Sequence, residues 1–244
     1  MKVRNSTSTA AVYGELGRYP LYISRFVRIL KYWFKIRNTD NIVLQTMSNV
    51  AYNDCNNGKK NWESNVKRML NEYGFSHVWD FPSSVNFNVF IKIFKQRVID
   101  CFLQSWCTSK ENSSVLHLYN FIKESFGYEQ YLDILPAYLY PSVCRLRLSA
   151  HSLIIETGRY SCNRTVRNER LCELCDNKDI EDEYHFILIC PRYLFLRKKY
   201  IKSYYYKRPS VFKLIQLFMS TSKTELFNLA NFIKYALCSR SSCM

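Results

Sequence analysis

Residues 171–193 read LCELCDNKDIEDEYHFILICPRY, and within them Cys172, Cys175, His185 and Cys190 form a C-x2-C-x9-H-x4-C array. Three thiolates and one imidazole are the soft and borderline donors that fill a single tetrahedral zinc shell. Two cysteines separated by two residues can both turn inward from a tight loop and hold an ion from one side, leaving His185 and Cys190 to close the other. The nine intervening residues, DNKDIEDEY, are polar and charged, which suits an exposed excursion ordered by the metal. Four protein ligands leave no open position for water or substrate, so the array predicts one structural Zn2+ rather than a hydrolytic centre. The alternative is a set of small buried thiols beside a core histidine. Cys162 and His151 lie nearby but complete no second set of ligands, which excludes a RING-type arrangement.

Around this segment the chain has the composition of a helical protein. Its 244 residues are 48% hydrophobic and 16% aromatic, enough to bury a core, with only six glycines and six prolines. The expected fold is mainly α, with helical bundles of about eight or nine helices and a small zinc-stapled CCHC segment. Ten cysteines are too few for a disulfide scaffold of this length, and no secretory apolar region follows Met1. That pattern predicts an intracellular protein of the nucleus or cytoplasm, with no membrane span because no apolar run reaches about 18 residues. A formal charge of +15 and a pI near 9.4 favour polyanionic partners, nucleic acid first.

Residues 1–12 are small, polar and unpatterned, and are expected to be disordered. Pro20 then suits a helix start, and on a helical wheel Ile23, Phe26, Val27, Leu30, Trp33 and Phe34 share one arc while Arg25, Arg28, Lys31 and Lys35 share the opposite one. Two further helices are expected at 40–55 and 61–73, with Asn61 as an N-cap and Gly74 as a stop. A long helix follows, burying Phe90, Ile93, Phe94, Val98, Phe102 and Trp106. Pro136 and Pro141 mark the main boundary, after which SVCRLRLSAHSLIIE reads as one helix running to Gly158. Pro191 opens another at PRYLFLRKKYIKSYYY, and residues 209–219 and 223–238 supply the last two.

Basic and aromatic residues crowd the array on both sides. Arg145, Arg147, Arg159, Arg164, Arg167, Arg192, Arg197, Lys198 and Lys199 are candidates for phosphate contacts, and Tyr193 and Tyr200 for stacking on unpaired bases. A solvated basic surface is the competing reading. His151, in RLSAHSLIIETGR, is expected to be a hydrogen-bonded core histidine.

YGELGRYPLY, RLRLSAHSLIIETGRY, and ERLCELC followed by EDEYHFILICPRYLFLRKKY together resemble the C-terminal region of non-LTR retrotransposon polyproteins, downstream of the reverse transcriptase thumb. The resemblance spans about residues 13–240. It implies that 13–140 is the helical connection from the thumb, 141–208 a zinc-knuckle segment with basic flanks, and 209–244 C-terminal helices. It also implies binding of RNA or of single-stranded or branched DNA, with other retroelement protein modules as further partners. The polymerase's paired metal-binding aspartates are missing, since no Asp-Asp pair occurs in the chain, and no nuclease set of carboxylates is evident. No enzymatic activity is expected. Two other readings are a protein-interaction scaffold with a structural zinc and a translated remnant of a mobile element without a selected function.

Overall fold

The computed structural model describes residues 3–4, 7–160 and 165–242. Among these 68% are helical, with nine helices of seven residues or more and no strand; the only β pairings among the described residues are the isolated bridges Leu16–Tyr128 and Leu171–Ile180. The chain divides into two compact units, one made of 19–106 and the other of 1–18 together with 107–244. The expected boundary at Pro136 and Pro141 therefore lies inside a single unit.

The first helix, α1 (Thr9–Leu16), begins inside the segment expected to be disordered. Ala11 is fully buried and its carbonyl accepts from the Tyr119 hydroxyl at 3.1 Å, so tertiary contact orders a sequence with no helical pattern of its own.

Residues 19–106 contain α2 (Leu21–Arg37), α3 (Ile42–Asn56), α4 (Trp62–Glu72), α5 (Ser76–Asp80) and most of α6 (Phe87–Glu111). Asn61 caps α4 in a reciprocal box with Ser64, satisfying two backbone donors at the helix start. Gly58 and Gly74, at φ 85° and 83°, supply the left-handed turns after α3 and α4. The apolar arc of α2 buries Ile23, Leu30, Trp33 and Phe34, and Arg25, Arg28, Lys31 and Lys35 all face solvent. On α6 the buried face runs Phe90, Phe94, Val98, Phe102 and Trp106, whereas Ile93 is 52% exposed and Ile91 is buried. Steps of four residues rotate the face slowly, which carries it towards Ile91 and away from Ile93. Buried Glu63 accepts from Trp33 Nε1 at 2.7 Å, and Arg37 lies over the Tyr52 ring at 4.3 Å.

The other unit adds α7 (His117–Ile122), α8 (Tyr131–Ile134), α9 (Tyr140–Arg147), α10 (Ile154–Thr157), α11 (Leu194–Tyr200), α12 (Ser203–Lys207), α13 (Val211–Phe218) and α14 (Lys223–Ser241). The long helix expected over 142–156 is broken between α9 and α10. Residues 146–151 are all buried, which one helix face cannot accommodate, and the chain turns at Ser149 with φ 52°. Here Glu15 is fully buried and pairs with Arg147 at 3.0 Å; Arg147 also meets Glu129 at 2.8 Å and sits 5.0 Å from the Tyr131 ring centroid. Gly17, at φ 56°, passes so close to Tyr128 that any Cβ would strike that residue's backbone nitrogen.

Candidate metal centre

Backbone pairing sets the first half of the site. Cys172 N–H donates to Asp179 O at 2.8 Å and Glu181 N–H to Arg170 O at 2.9 Å, folding 170–181 into a small hairpin with Lys178 at φ 54° in its turn. Cys172 and Cys175 lie on its first limb. Asp182 then caps the next turn, its Oδ1 accepting from His185 N–H at 2.9 Å.

The second half depends on an unusual helix. Residues His185–Ile189 form a π-helical turn closed by Cys190 N–H donating to His185 O at 2.8 Å. In an α-helix, residues five apart diverge by about 140°, so His185 and Cys190 would point different ways. The wider π turn brings them to one side, the kind of local distortion that recurs at functional positions. Cys190 leaves the helix at φ −49°, ψ 118°, and Pro191 prevents its continuation.

The four donor atoms converge within 4.8 Å of one another, close enough to hold a metal ion. Cys172 Sγ is 4.0 Å from Cys190 Sγ, and Cys175 Sγ is 3.4 Å from His185 Nε2. Tetrahedral coordination with metal–sulfur bonds of about 2.3 Å and metal–nitrogen bonds of about 2.0–2.1 Å separates two sulfurs by about 3.8 Å and sulfur from nitrogen by about 3.6 Å. The donor set and its spacing therefore fit such an ion. Burial pushes the Cys172 thiol up to about 12, with the neighbouring Cys190 adding to the rise, and burial raises Cys190 too. A cation is what lets buried thiols this close ionise together, which couples metal uptake to proton release.

Several groups hold the ligands in place. Asp179 Oδ2 lies 3.4 Å from His185 Nδ1, long for a hydrogen bond but on the ring nitrogen opposite the ligand atom. Glu181 grips Arg240 of α14 at 2.8 and 2.6 Å and also accepts from Ile154 N–H at 2.7 Å. Glu183 meets His151 Nε2 at 3.0 Å, while His151 Nδ1 accepts from Leu153 N–H at 3.3 Å, which assigns the proton to Nε2. Burial acts to raise the Glu183 carboxyl, but the hydrogen bond from His151 outweighs it and holds the group below its ordinary value. The consecutive acids Glu181, Asp182 and Glu183 thus point to three partners and form no metal cluster of their own. Phe186, Ile187 and Leu188 are buried, with Phe186 against Tyr193 and Phe232 at ring-centroid separations of 5.0 and 6.0 Å.

The structure redistributes the residues expected to contact nucleic acid. Arg147 is committed to the buried pair with Glu15 and is not available at a surface. Arg197 is 2% exposed and donates to Ile187 O at 2.7 Å and Cys190 O at 2.8 Å, satisfying carbonyls at the end of the π turn. Tyr193 is 1% exposed and packs in the core. Arg159 is mostly covered and bonded to Glu156 and Ser114 O. Arg145, Arg167, Arg192, Lys198 and Lys199 are exposed. Tyr200 is half-buried, with one ring face stacked on Tyr235 at 5.8 Å and 13°. Arg164 falls outside the described residues, as does Cys162.

The supporting residues Asp179 and Arg240 were not singled out from the sequence, and Arg197 was singled out only as a candidate phosphate contact. Only Asp182 carried a local signal, an acidic residue three positions before the histidine that begins a helical turn. No protein-family model, curated protein or solved structure matches this chain.

Proposed function

We propose that this chain is a zinc-stapled nucleic-acid-binding module without catalytic activity, akin to the post-thumb region of non-LTR retrotransposon polyproteins, that binds RNA or single-stranded or branched DNA. The observation that carries the reading is the coupling of the metal segment to an exposed basic surface. Arg197 anchors α11 to the carbonyls of Ile187 and Cys190, and the same stretch offers Arg192, Lys198, Lys199, Lys207 and Arg208 to solvent. Zinc is the ion that suits three thiolates and an imidazole in a closed tetrahedral shell. It would fix the position of the basic surface without touching the ligand. Cations held on a rigid element contact phosphates with less loss of side-chain freedom than cations on a loose loop.

Binding of the metal-loaded protein to a hairpin RNA with a single-stranded tail, measured by fluorescence anisotropy between about 50 and 200 mM salt, tests this directly. The slope of log affinity against log salt is expected to show several contacts, at roughly 0.7–0.9 per phosphate, and each of Arg192→Gln, Lys198→Gln and Lys199→Gln should flatten it by about one contact. A salt-independent affinity, or slopes unchanged in all three variants, would overturn the reading.

A protein-interaction scaffold is the second reading, and α3 is the observation in its favour. Ile42, Val43, Met47 and Val50 are 77, 66, 65 and 56% exposed along that helix. One co-purifying polypeptide that survives nuclease treatment and is lost with Val43→Ser/Met47→Ser would favour the scaffold; loss on nuclease treatment would favour the nucleic-acid module.

A further inference from the structure

Between the solvent face of α2 and the start of α4 lies a groove of about 420 Å³, built wholly from residues of 19–106. Leu21, Arg25, Arg28, Ile29 and Tyr32 line it from α2, and Trp62 from α4. Helical geometry sets Arg25, Arg28 and Tyr32 in a row, because residues three or four apart lie about 5–6 Å from each other on one face. Trp62 extends that row, its ring centroid 5.7 Å from that of Tyr32 at an interplanar angle of 71°. An edge-on contact leaves ring surface uncovered on both residues, and Tyr32 and Trp62 are 57 and 38% exposed. Arg25 and Arg28 are exposed as well, with Arg25 over the Phe26 ring at 5.6 Å, and Lys31 and Lys35 continue the basic stripe along the helix. Among the described residues no carboxylate lines the groove, and neither arginine forms an ion pair.

Two chemistries meet in this row, cations at one end and aromatic rings at the other. A guanidinium matches a phosphate with two parallel hydrogen bonds, and an exposed ring stacks on a base that has left its own stack. A duplex hides the faces of its bases, so only a single strand can use both ends of the row. An acidic peptide would satisfy the arginines and give the rings no base to stack on. A lipid surface is excluded by the helix itself, since the apolar face that would enter it, Ile23, Leu30, Trp33 and Phe34, is buried in the core. We infer that this groove is a site for single-stranded nucleic acid, seating phosphates on Arg25 and Arg28 and a base against Tyr32 and Trp62. It belongs to a different unit from the metal centre and uses none of the residues on which the proposed function rests.

The test is binding of the metal-loaded chain to an oligodeoxyuridylate of about eight nucleotides, within the site sizes of single-strand binders, beside a duplex and an abasic backbone of the same length. Trp62→Leu/Tyr32→Leu keeps the groove apolar and removes the rings. It should weaken the single strand at least fivefold and leave binding of the duplex and the abasic backbone unchanged. Arg25→Gln/Arg28→Gln should flatten the salt dependence of single-strand binding by about two contacts, at roughly 0.7 each. With 5-iodouracil replacing one uracil, ultraviolet crosslinking and peptide mapping should place the base on Tyr32 or Trp62. Circular dichroism should be unchanged in every variant. If the ring variant misfolds, Arg28→Gln alone, at an exposed position, should still flatten the slope by about one contact. Equal losses for duplex and single strand, full affinity and slope in the folded variants, or displacement by polyglutamate of matched charge as readily as by oligonucleotide would overturn the inference. Crosslinks confined to 190–208 would overturn it and leave the proposed function standing. Crosslinks at Tyr32 or Trp62, with slopes unchanged in the Arg192, Lys198 and Lys199 variants, would do the reverse.

Discussion

Cys190 closes the shell that Cys172, Cys175 and His185 begin, and it also ends the π turn, so a change there acts on metal and backbone together. Cys190→Ser is expected to release the ion and to remove hydrogen-exchange protection from the segment around 165–205, with the helices of 19–106 unaffected, because metal binding supplies folding free energy locally. His151→Ala separates support from ligation. It strips the partner from buried Glu183 and should lower stability by about 1–3 kcal/mol, measured by urea unfolding, while the zinc content stays constant. Loss of zinc in that variant would sink the assignment of ligands. At this scale the ligands were readable because zinc chemistry constrains residue type and spacing within one short stretch. Arg147, Arg197 and Tyr193 were not, because whether a basic or aromatic side chain is solvated or buried depends on partners that no local pattern names: Glu15 for the first, and the carbonyls of Ile187 and Cys190 for the second.

Among the elements, the helices of 19–106 follow their sequence signals closely, since cap, periodicity and glycine stop agree at α4 and the two faces of α2 separate as the wheel predicts. The stretch from α9 to α10 departs from its pattern. A run of residues that must all be buried cannot be served by one helix face, and the hydrogen bond from Leu153 N–H to His151 Nδ1 competes with helix continuation there. Near α12–α14, Glu225 accepts from Lys202 at 2.6 Å and from Ser220 at 2.5 Å, and these hydrogen bonds, the one from Lys202 foremost, hold its carboxyl below its ordinary 4.5. A carboxyl whose folded pKa is depressed contributes stability above its unfolded pKa and loses it as pH falls through the folded value. Wild type should therefore exceed Glu225→Gln in urea midpoint at neutral pH, with the gap closing as pH drops below 4.5. A gap that persists at acid pH would show that the carboxylate's charge is not what stabilises the contact.

For the whole molecule, the buried Glu15–Arg147 pair, with Glu129 at its partly exposed side, joins parts of the chain that the sequence keeps far apart. Arg147→Met should cost about 3–5 kcal/mol in urea unfolding by stranding Glu15, and Glu15→Gln added to it should restore part of that loss. No helix among the described residues is long and apolar enough to cross a membrane. The division into units was not legible from Pro136 and Pro141, because both lie within one unit and the divisions fall beside Tyr19 and Trp106. Glu15 and Arg147 are separated by 132 positions, and the whole of 19–106 is spliced between them. During synthesis from the N-terminus, 19–106 can condense as soon as it clears the ribosome, whereas Glu15 remains an uncompensated carboxylate until Arg147 has been added. Its segment must stay available throughout that interval, so the pair spanning 132 positions is a late event of folding, closed only after 19–106 has been made.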